Sequence, residues 1–308
     1  DVIAKSLGMT GKGRDLPKYI ADKKQKIVAV IDGLEDLFQE FAQDKAQQTA
    51  LRALLQDVPQ WLEQQPFRCL GIIIFVRQDI LTASVRQNSG QMKSRYQPYT
   101  LRWNRETVLR LVAWVADKAN ISLKLKPAGL QDMNEAELTE TLRPLWGKKL
   151  GNDRSRQARS APFVIAALSD YNGQIQSRDV VRLLKIAAAK SIDDDYWQDR
   201  VLVPKAIRRC LADCSHEKIT EIELENEPLK KVFNKLRQLP ADNKKSPFKL
   251  ESIGLSTEDM RLLRENGVII AYGDKYYVSE IFRLGLRFSQ NAGKPKVLGL
   301  ATLARQGL

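Results

Sequence analysis

Residues 26–38, KIVAVIDGLEDLF, are the most informative stretch of the sequence, because acidic residues follow directly after a run of apolar, strand-forming residues. The run IVAVI predicts a strand that is covered on both faces, as the strands of a parallel sheet are. Gly33 then permits a sharp turn, and three acids lie around it: Asp32, Glu35 and Asp36. An ordinary buried strand followed by a helix would give the same pattern, since acids in a first helical turn suit the helix dipole.

A second apolar run, residues 70–76, predicts another buried strand that ends just before Arg77. Between the two runs, residues 42–64 repeat apolar side chains at helical spacing. A strand, a helix and a second strand in this order form the crossover connection of a parallel sheet. Arg77 therefore ends the second strand as Asp32 ends the first, although a solvated strand terminus would also carry an arginine.

These motifs resemble those of P-loop nucleotide hydrolases. VIDGLED is similar to the Walker B motif, hhhhDGLDE, of STAND-type ATPases, which are relatives of AAA+ proteins, with the last two acids exchanged. IIIFVRQDIL is similar to the FLRxDI segment of bacterial members, including KAP-like ATPases. YTLRWNRETVLRLVAWVA resembles the helix that follows their sensor strand, and the resemblance as a whole extends over residues 26–286.

The resemblance implies a role for each polar residue, with ATP as the ligand and Mg²⁺ as the cofactor. Asp32 would hold Mg²⁺ through water, and a later acid would orient or deprotonate the attacking water. Glu35 and Asp36 are both candidates for that acid because their order is exchanged, and Glu35 has the longer reach. Arg77 takes the place of the sensor residue that contacts the γ-phosphate.

A P-loop enzyme also needs the motif GxxxxGK[ST], whose backbone N–H groups and lysine bind the phosphates. The most similar stretch, residues 8–13, has the wrong spacing, and Gly13 stands where the Mg²⁺-binding hydroxyl is needed. That stretch predicts only a flexible loop. Because the chain starts at Asp1, directly upstream of a mid-domain strand, we expect it to be the C-terminal portion of an ATPase. Taken alone, it is not expected to hydrolyse ATP.

Changes in composition divide the chain into segments and predict an α/β plus all-α fold class. With the identities that the family resemblance implies, the segments are a lead-in (1–25), the C-terminal half of an αβα P-loop core (26–120), a helical lid (121–240) and a winged helix with a basic tail (241–308). Within the helical block, apolar periodicity predicts helices over residues 135–145, 160–171, 177–191 and 204–214.

One predicted helix of this block carries a candidate arginine. Asn172 and Gly173 suit a left-handed cap at the end of the preceding helix, and Ser177 suits the N-cap of the next one. The segment resembles the lid of AAA+ and STAND ATPases, where "R-x-x-x-x-L-L-x-x-A" carries the sensor-2 arginine. By that resemblance Arg178 contacts the γ-phosphate, and Arg182 is the substitute. A plain helical hairpin with an exposed first-turn arginine is the alternative.

The last part of the chain predicts a winged helix. Ser256 caps a helix that ends at Gly267, a hairpin turns at Gly273, and a further helix covers residues 280–288. The phrase ENGVIIAYGDKYYVSEIFRLGL resembles the C-terminal winged helix of these ATPases. Glu258 and other acids in the candidate recognition helix would face phosphates on DNA, so regulation or protein contact is favoured over DNA readout.

The net charge of +13, from 50 Lys and Arg against 37 Asp and Glu, favours association with polyanions, nucleic acid first. A Lys- and Arg-rich surface without such a partner is the alternative. One basic cluster lies in a loop: Lys148, Lys149, Arg154, Arg156 and Arg159. A second closes the chain and supplies the nucleic-acid candidates Arg283, Arg287, Lys294 and Lys296, with Arg305 beyond them.

The three cysteines are too few for a disulfide framework, and reduced thiols predict a cytoplasmic protein. Cys210 and Cys214 lie one helical turn apart near His216, but a metal site needs more ligands, so core or reduced surface thiols are predicted. The acids at 193–195 predict a solvated loop. Apolar runs are shorter than the ~20 residues of a membrane span, so no membrane partner is expected.

The family resemblance implies a switch ATPase whose nucleotide state moves the lid and the winged helix. Its expected partners are ATP and ADP, a second copy of the chain or an effector protein, with DNA as another output. The family resemblance implies a role in bacterial conflict or defence signalling. The alternative is a non-catalytic DNA-binding or scaffold protein built on a degenerate ATPase core, which the missing phosphate loop and the basic charge favour.

Overall fold

The computed structural model describes residues 2–10, 12–41, 43–85, 89–126, 129–290 and 297–305. The chain divides into two compact units, residues 1–100 and 101–308. Helices predominate, and the strands of the described ranges form three two-stranded sheets. The predicted combination of α/β and helical parts is therefore confirmed at this level.

The first unit contains one parallel pair of strands among short helices. Its strands are β1 (Ile27–Ile31) and β2 (Leu70–Ile74). Its helices are α1 (Val2–Ser6), α2 (Leu16–Asp22), α3 (Leu34–Leu37), α4 (Lys45–Arg52), α5 (Val58–Glu63), α6 (Gln78–Ser84) and α7 (Ser89–Tyr96). A π-helical turn, Ala53–Asp57, joins α4 to α5, so the predicted crossover helix between the two strands is confirmed.

Strands β1 and β2 pair in parallel from Ile27 opposite Leu70 to Ile31 opposite Ile74. The predicted first strand is confirmed, and the second ends two residues earlier than predicted. The expectation of cover on both faces is wrong for the described residues, because alternate side chains are open to solvent: Val28 is 58% exposed, Val30 61% and Ile73 48%. The helices of this unit form apolar clusters with the opposite face only.

The second unit is mainly helical. Its helices are α8 (Arg105–Lys118), α9 (Glu135–Thr141), α10 (Arg143–Trp146), α11 (Ser160–Leu168), α12 (Ser177–Ala189), α13 (Pro204–Glu225), α14 (Glu227–Gln238), α15 (Thr257–Glu265), α16 (Glu280–Arg283) and α17 (Val297–Arg305). Its strands are β3 (Lys245–Ser246), β4 (Ile269–Tyr272), β5 (Lys275–Val278) and β6 (Ser289–Gln290). Strands β4 and β5 form an antiparallel hairpin, and β3 pairs in parallel with β6.

A single apolar core extends through the second unit, from α8 to the segment that follows α16. Phe233 of α14 lies against Phe282 of α16, with ring centroids 6.0 Å apart. The residues predicted as a helical lid and those predicted as a winged helix therefore share one core. Helix α8, which composition places with the αβ segment, contributes Val108 and Val112 to this core.

Predictions that depend only on neighbouring residues are confirmed around α15 and the β4–β5 hairpin. Ser256 forms a capping box with Asp259 at the start of α15, as its N-cap role predicts. Gly267 (φ +66°) follows the end of that helix, and Gly273 (φ +62°) lies in the turn between β4 and β5. The predicted helix–hairpin order of this region is therefore confirmed, although α16 is shorter than the helix expected over residues 280–288.

Two predicted caps around α12 are wrong. Ser177 is the first helical residue, Gln176 takes the N-cap position, and that position has no side-chain cap. Gly173 has the predicted positive φ of +73°, but α11 already ends at Leu168, so Gly173 turns the connecting loop instead. Helix α13 also continues to Glu225, well past its predicted end, because its apolar face remains covered by the core.

Candidate functional site

The carboxyl-terminal edge of the β1–β2 pair gathers polar residues of the first unit. The N–H of Phe75 donates to the carbonyl of Ile31 at 2.8 Å, which extends the parallel ladder to the ends of both strands. Asp32 follows Ile31 directly, and Arg77 comes three residues after Ile74. Since parallel strands end at the same edge of a sheet, the structure places Asp32 and Arg77 at the same end of the β1–β2 pair.

The turn after β1 depends on glycine. Gly33 has φ +75°, a left-handed conformation that disfavours other residues, and its N–H donates to Asp32 Oδ1 at 2.9 Å. Helix α3 begins at the next residue, Leu34, which is buried in a cluster with Leu51 and Ile80. The buried leucine fixes the short helix against the sheet, and the turn before it keeps the Asp32 carboxylate at the strand end.

All three predicted acids of this turn are exposed. Glu35 and Asp36 lie in the first turn of α3, and Asp32 precedes the turn. One oxygen of Asp32 accepts the Gly33 N–H, and the other has no hydrogen-bond partner among the described residues. The edge therefore carries a set of solvated carboxylates that can accept water or donors from a ligand.

Arg77 begins the next element on the same edge. Its backbone is extended (φ −71°, ψ 147°) at the N-cap of α6, and its carbonyl accepts the Leu81 N–H at 3.1 Å. The side chain is half-buried. Arg77 therefore lies three residues past the end of β2 and not at the strand end itself, because β2 stops at Ile74, and helix α6 fixes its backbone.

The donor set at this edge suits a cation that keeps its water. Within the described ranges, no group of three or more His, Cys, Asp or Glu side chains is arranged to hold a metal ion. Mg²⁺ requires no such group, because it commonly binds through one or two carboxylates and retains several waters beside substrate phosphates. The exposed Asp32 carboxylate fits that kind of coordination.

The predicted lid arginines lie in the second unit, on α12, and differ in their contacts. Arg182 is held on two sides: Nη1 lies 3.0 Å from Asp179 Oδ1, and Nη2 lies 2.6 Å from Glu221 Oε1. Arg178 is 50% exposed and its ion pairs are looser, at 3.5 Å to Glu221 and 3.6 Å to Glu225. Arg182 is thus bound within the protein, whereas Arg178 can turn toward a ligand at smaller cost.

Sequence reasoning missed the buried ion pair beneath these arginines. Asp179 is fully buried, and Lys218 Nζ lies 2.9 Å from its Oδ2. The pair joins α12 to α13 inside the core, where an unpaired charge would be strongly destabilising. The only sequence signal was an acid in the first turn of α12, which a helix dipole also explains, and its partner lies 39 residues away.

The C-terminal nucleic-acid candidates are unequal. Arg283 is largely buried, and it binds Glu280 through Nε at 2.6 Å and the carbonyl of Phe288 through Nη1 at 2.7 Å. Arg287 is exposed. Lys294 and Lys296 lie outside the described residues. Arg283 therefore has a structural role in this fold, and a polyanion would have to displace Glu280 to reach it.

The exposed side of α15 carries acids that are paired with its own cation. Arg261 binds Glu258 at 2.5 Å and Glu265 at 2.7 Å. Asp259 at the start of the helix binds Lys235 of α14 at 2.8 Å. These pairs compensate the charge of Arg261 on the candidate recognition helix.

The cysteines lie in the cores. Cys69, Cys210 and Cys214 are all buried and free. A hydrogen bond with Cys214, together with burial, raises the pKa of the Cys210 thiol far above its usual range. The Cys210 thiol is therefore a protonated core residue rather than a nucleophile.

Comparisons with protein-family models, curated proteins and solved structures found no match for this chain. Among the helices that the structure describes, none is both long enough and apolar enough to cross a bilayer.

Proposed function

We propose that this chain is the C-terminal portion of a STAND/AAA-like P-loop ATPase that acts as a nucleotide-controlled switch. The observation that carries the proposal is the parallel β1–β2 pair, which brings Asp32 and Arg77 to one edge. In an αβα nucleotide-binding fold, ligands bind at the carboxyl ends of parallel strands. A carboxylate and an arginine at that edge can serve a Mg²⁺-bound triphosphate.

The proposed roles follow from the chemistry of each side chain. Asp32 holds Mg²⁺ through water, and Mg²⁺ when bound neutralises charge on the phosphates. Glu35 is the first candidate for the acid that orients the attacking water, with Asp36 as the second. Arg77 contacts the γ-phosphate from the strand side, and Arg178 is the candidate sensor residue of the second unit.

The open face of the β1–β2 pair supports an incomplete αβα core. Parallel strands are normally covered on both faces, yet Val28, Val30 and Ile73 are exposed. Further strands and helices, with a GxxxxGK[ST] loop among them, would cover these side chains and supply the phosphate-binding N–H groups. The proposal therefore requires a phosphate loop that residues 1–308 do not contain.

The shared core of the second unit supports a particular kind of output. Because the lid and winged-helix segments pack into one core, we expect them to move as a single body when the nucleotide changes. A second copy of the chain or an effector protein would then respond to that movement.

Phosphate release by the complete protein tests this function. Asp32→Ala should abolish Mg²⁺-dependent turnover and leave the fold intact, because the side chain is exposed at a strand end. Asp57→Ala is the matched control, since Asp57 is another exposed acid of the same unit. Equal loss in both variants, or normal turnover in Asp32→Ala, would overturn the assignment of the site.

A second pair of variants identifies the water-orienting acid. If Glu35 has this role, Glu35→Gln should trap bound ATP while Asp36→Asn turns over normally. The reverse pattern would move the role to Asp36. ATP binding without measurable hydrolysis in the wild-type complete protein would instead favour the non-catalytic scaffold.

A further inference from the structure

The loop between α10 and α11, residues 147–159, concentrates exposed cations in a short segment of the second unit. Its sequence, GKKLGNDRSRQAR, contains five cations and one acid, Asp153. Lys148, Arg154, Arg156 and Arg159 are exposed. No ion pair is found for these four side chains among the described residues. Elsewhere in the unit, carboxylates bind most arginines, including Arg105, Arg110, Arg143, Arg178, Arg182, Arg200, Arg237, Arg261 and Arg283.

The backbone of the basic loop is held in a closed turn by its own hydrogen bonds. The N–H of Leu150 donates to the carbonyl of Ala158 at 2.9 Å, and the N–H of Ser160 donates to the carbonyl of Lys148 at 3.0 Å. Lys149 turns inward, where its Nζ donates to the carbonyl of Ser155 at 2.7 Å. The two ends of the loop are thereby joined.

A buried arginine holds the loop from below. The side chain of Arg200 is 1% exposed, and its Nη1 donates to the carbonyl of Lys149 at 2.7 Å. Asp199 and the ring of Trp197 hold the guanidinium on its other sides. Gly147 has φ +69°, and a Cβ there would lie 2.1 Å from Arg200 Nη1, so this position requires glycine.

A second arginine, Arg208 of α13, fixes the outer part of the loop. Its Nη2 donates to the carbonyl of Leu150 at 2.8 Å and to Gln157 Oε1 at 2.7 Å. Ordering the loop in advance lowers the entropy cost of binding a ligand to it. The protein thus uses two arginines and a glycine to hold a loop whose exposed cations have no intramolecular partner in the described structure.

We propose that the basic loop, residues 147–159, binds the phosphate backbone of double-stranded nucleic acid without sequence preference. Guanidinium groups bind phosphates through paired hydrogen bonds, and three of the four exposed cations are arginines. The loop's one large apolar side chain, Leu150, is buried, so the surface lacks the apolar anchor typical of a protein interface. It also lacks the aromatic residues on which single-stranded bases stack.

This proposal does not depend on the ATPase proposal, because the loop lies in the second unit and its binding needs no nucleotide. It also relocates the expected polyanion contact. The C-terminal cluster includes an arginine that Glu280 already binds, whereas the basic loop has four exposed cations available.

Equilibrium titration by fluorescence anisotropy tests the basic loop. The probes are labelled duplex DNA and duplex RNA of the same arbitrary sequence, at ~50 to ~200 mM salt. The loop variant replaces Lys148, Arg154, Arg156 and Arg159 with Gln. The control variant removes the same charge from exposed cations on other elements, by replacing Lys118, Lys124, Lys231 and Arg264 with Gln.

We expect micromolar or weaker binding by the wild type and a salt slope of about −0.9 for each phosphate contact. If the loop variant loses all four contacts, raising the salt from ~50 to ~200 mM should weaken binding by the wild type roughly 100-fold more than it weakens binding by the loop variant. The control variant should keep a slope closer to that of the wild type. Circular dichroism of the three proteins checks that the fold is retained.

Several results would overturn the proposal. Absence of binding to either duplex at the lowest salt is one, and equal slopes for the wild type and the loop variant is another. An equal change in the loop and control variants would assign binding to net charge alone. Binding of poly-glutamate, lost in the loop variant, without binding of either duplex would assign the loop to an acidic protein partner instead.

Discussion

The two units differ in how completely they bury their apolar side chains and their charged groups. The second unit has a continuous core, and its buried charge Asp179 is neutralised by Lys218 at 2.9 Å. The first unit has a two-stranded sheet with one packed face and one open face, and its candidate catalytic acids are solvated. The difference indicates that stability and candidate chemistry are separated along this chain. Helical packing stabilises the second unit, and the sheet edge of the first carries the candidate ligand-binding groups.

The largest expected effect is the loss of stability on truncating a core side chain of the second unit. Truncating a sheet side chain of the first unit provides the comparison. Phe233→Ala should lower the free energy of unfolding by about 3–5 kcal/mol, because the ring is fully buried against Phe282. Val30→Ala should cost less than about 1 kcal/mol, because Val30 is 61% exposed. Urea unfolding, with hydrogen–deuterium exchange to locate the change, measures both. Comparable losses would show that Val30 is covered in solution, and would contradict the open sheet face of the first unit.

The pH dependence of stability tests the partly buried carboxylate Asp170 of the second unit. Burial raises the pKa of Asp170 from 3.8 to about 6, against the lowering effect of hydrogen bonds from the Gln174 and Asn172 backbone and the charge of Lys218. The folded state therefore prefers the protonated carboxyl, and stability should fall as the pH rises from about 4 to about 6. The loss should be roughly 3 kcal/mol, at about 1.4 kcal/mol for each pKa unit.

The control for this titration is Asp170→Asn, which removes the charge and keeps an oxygen that can accept the Gln174 N–H. Unfolding by urea at each pH gives the difference between the two proteins. The difference should grow in favour of the variant up to about pH 6 and then stay level. Parallel profiles for the two proteins would mean that the carboxylate is solvated in the folded state.

The smallest expected effect concerns the contact between the 169–176 loop and the hairpin region. Gly267 has φ +66°, and a Cβ there would lie 2.8 Å from Asp170 Cγ, whereas Gly273 has φ +62° with open space around it. Gly273→Ala should cost only the left-handed backbone penalty of about 1–2 kcal/mol. Gly267→Ala should cost about 1 kcal/mol more, since overpacking adds to that penalty. Equal melting curves for the two variants would show that the loop moves aside freely.

Features that depend on neighbouring residues were predictable from the sequence. The apolar run before Asp32 was enough to place β1, and the hairpin at Gly273 and the cap at Ser256 were recognised from their own short patterns. The pairing of Glu280 with Arg283 had a local signal as well, since these residues lie three apart, one helical turn. That spacing shows why Arg283 was a weaker nucleic-acid candidate than its charge alone suggested.

Local sequence patterns were sufficient to predict the order of the main elements and the residue types at their ends, because periodicity, capping and turn chemistry act over a few residues. Which charges distant in sequence are paired depends on the tertiary structure. Asp179 and Lys218, 39 residues apart, meet in the core, and Arg200 reaches the carbonyl of Lys149 across 51 residues. The tertiary structure also decided that Val28 and Val30 face solvent, although they look like core residues in the sequence. Burial and ion pairing depend on which elements pack together, and that packing joins residues that no local pattern connects.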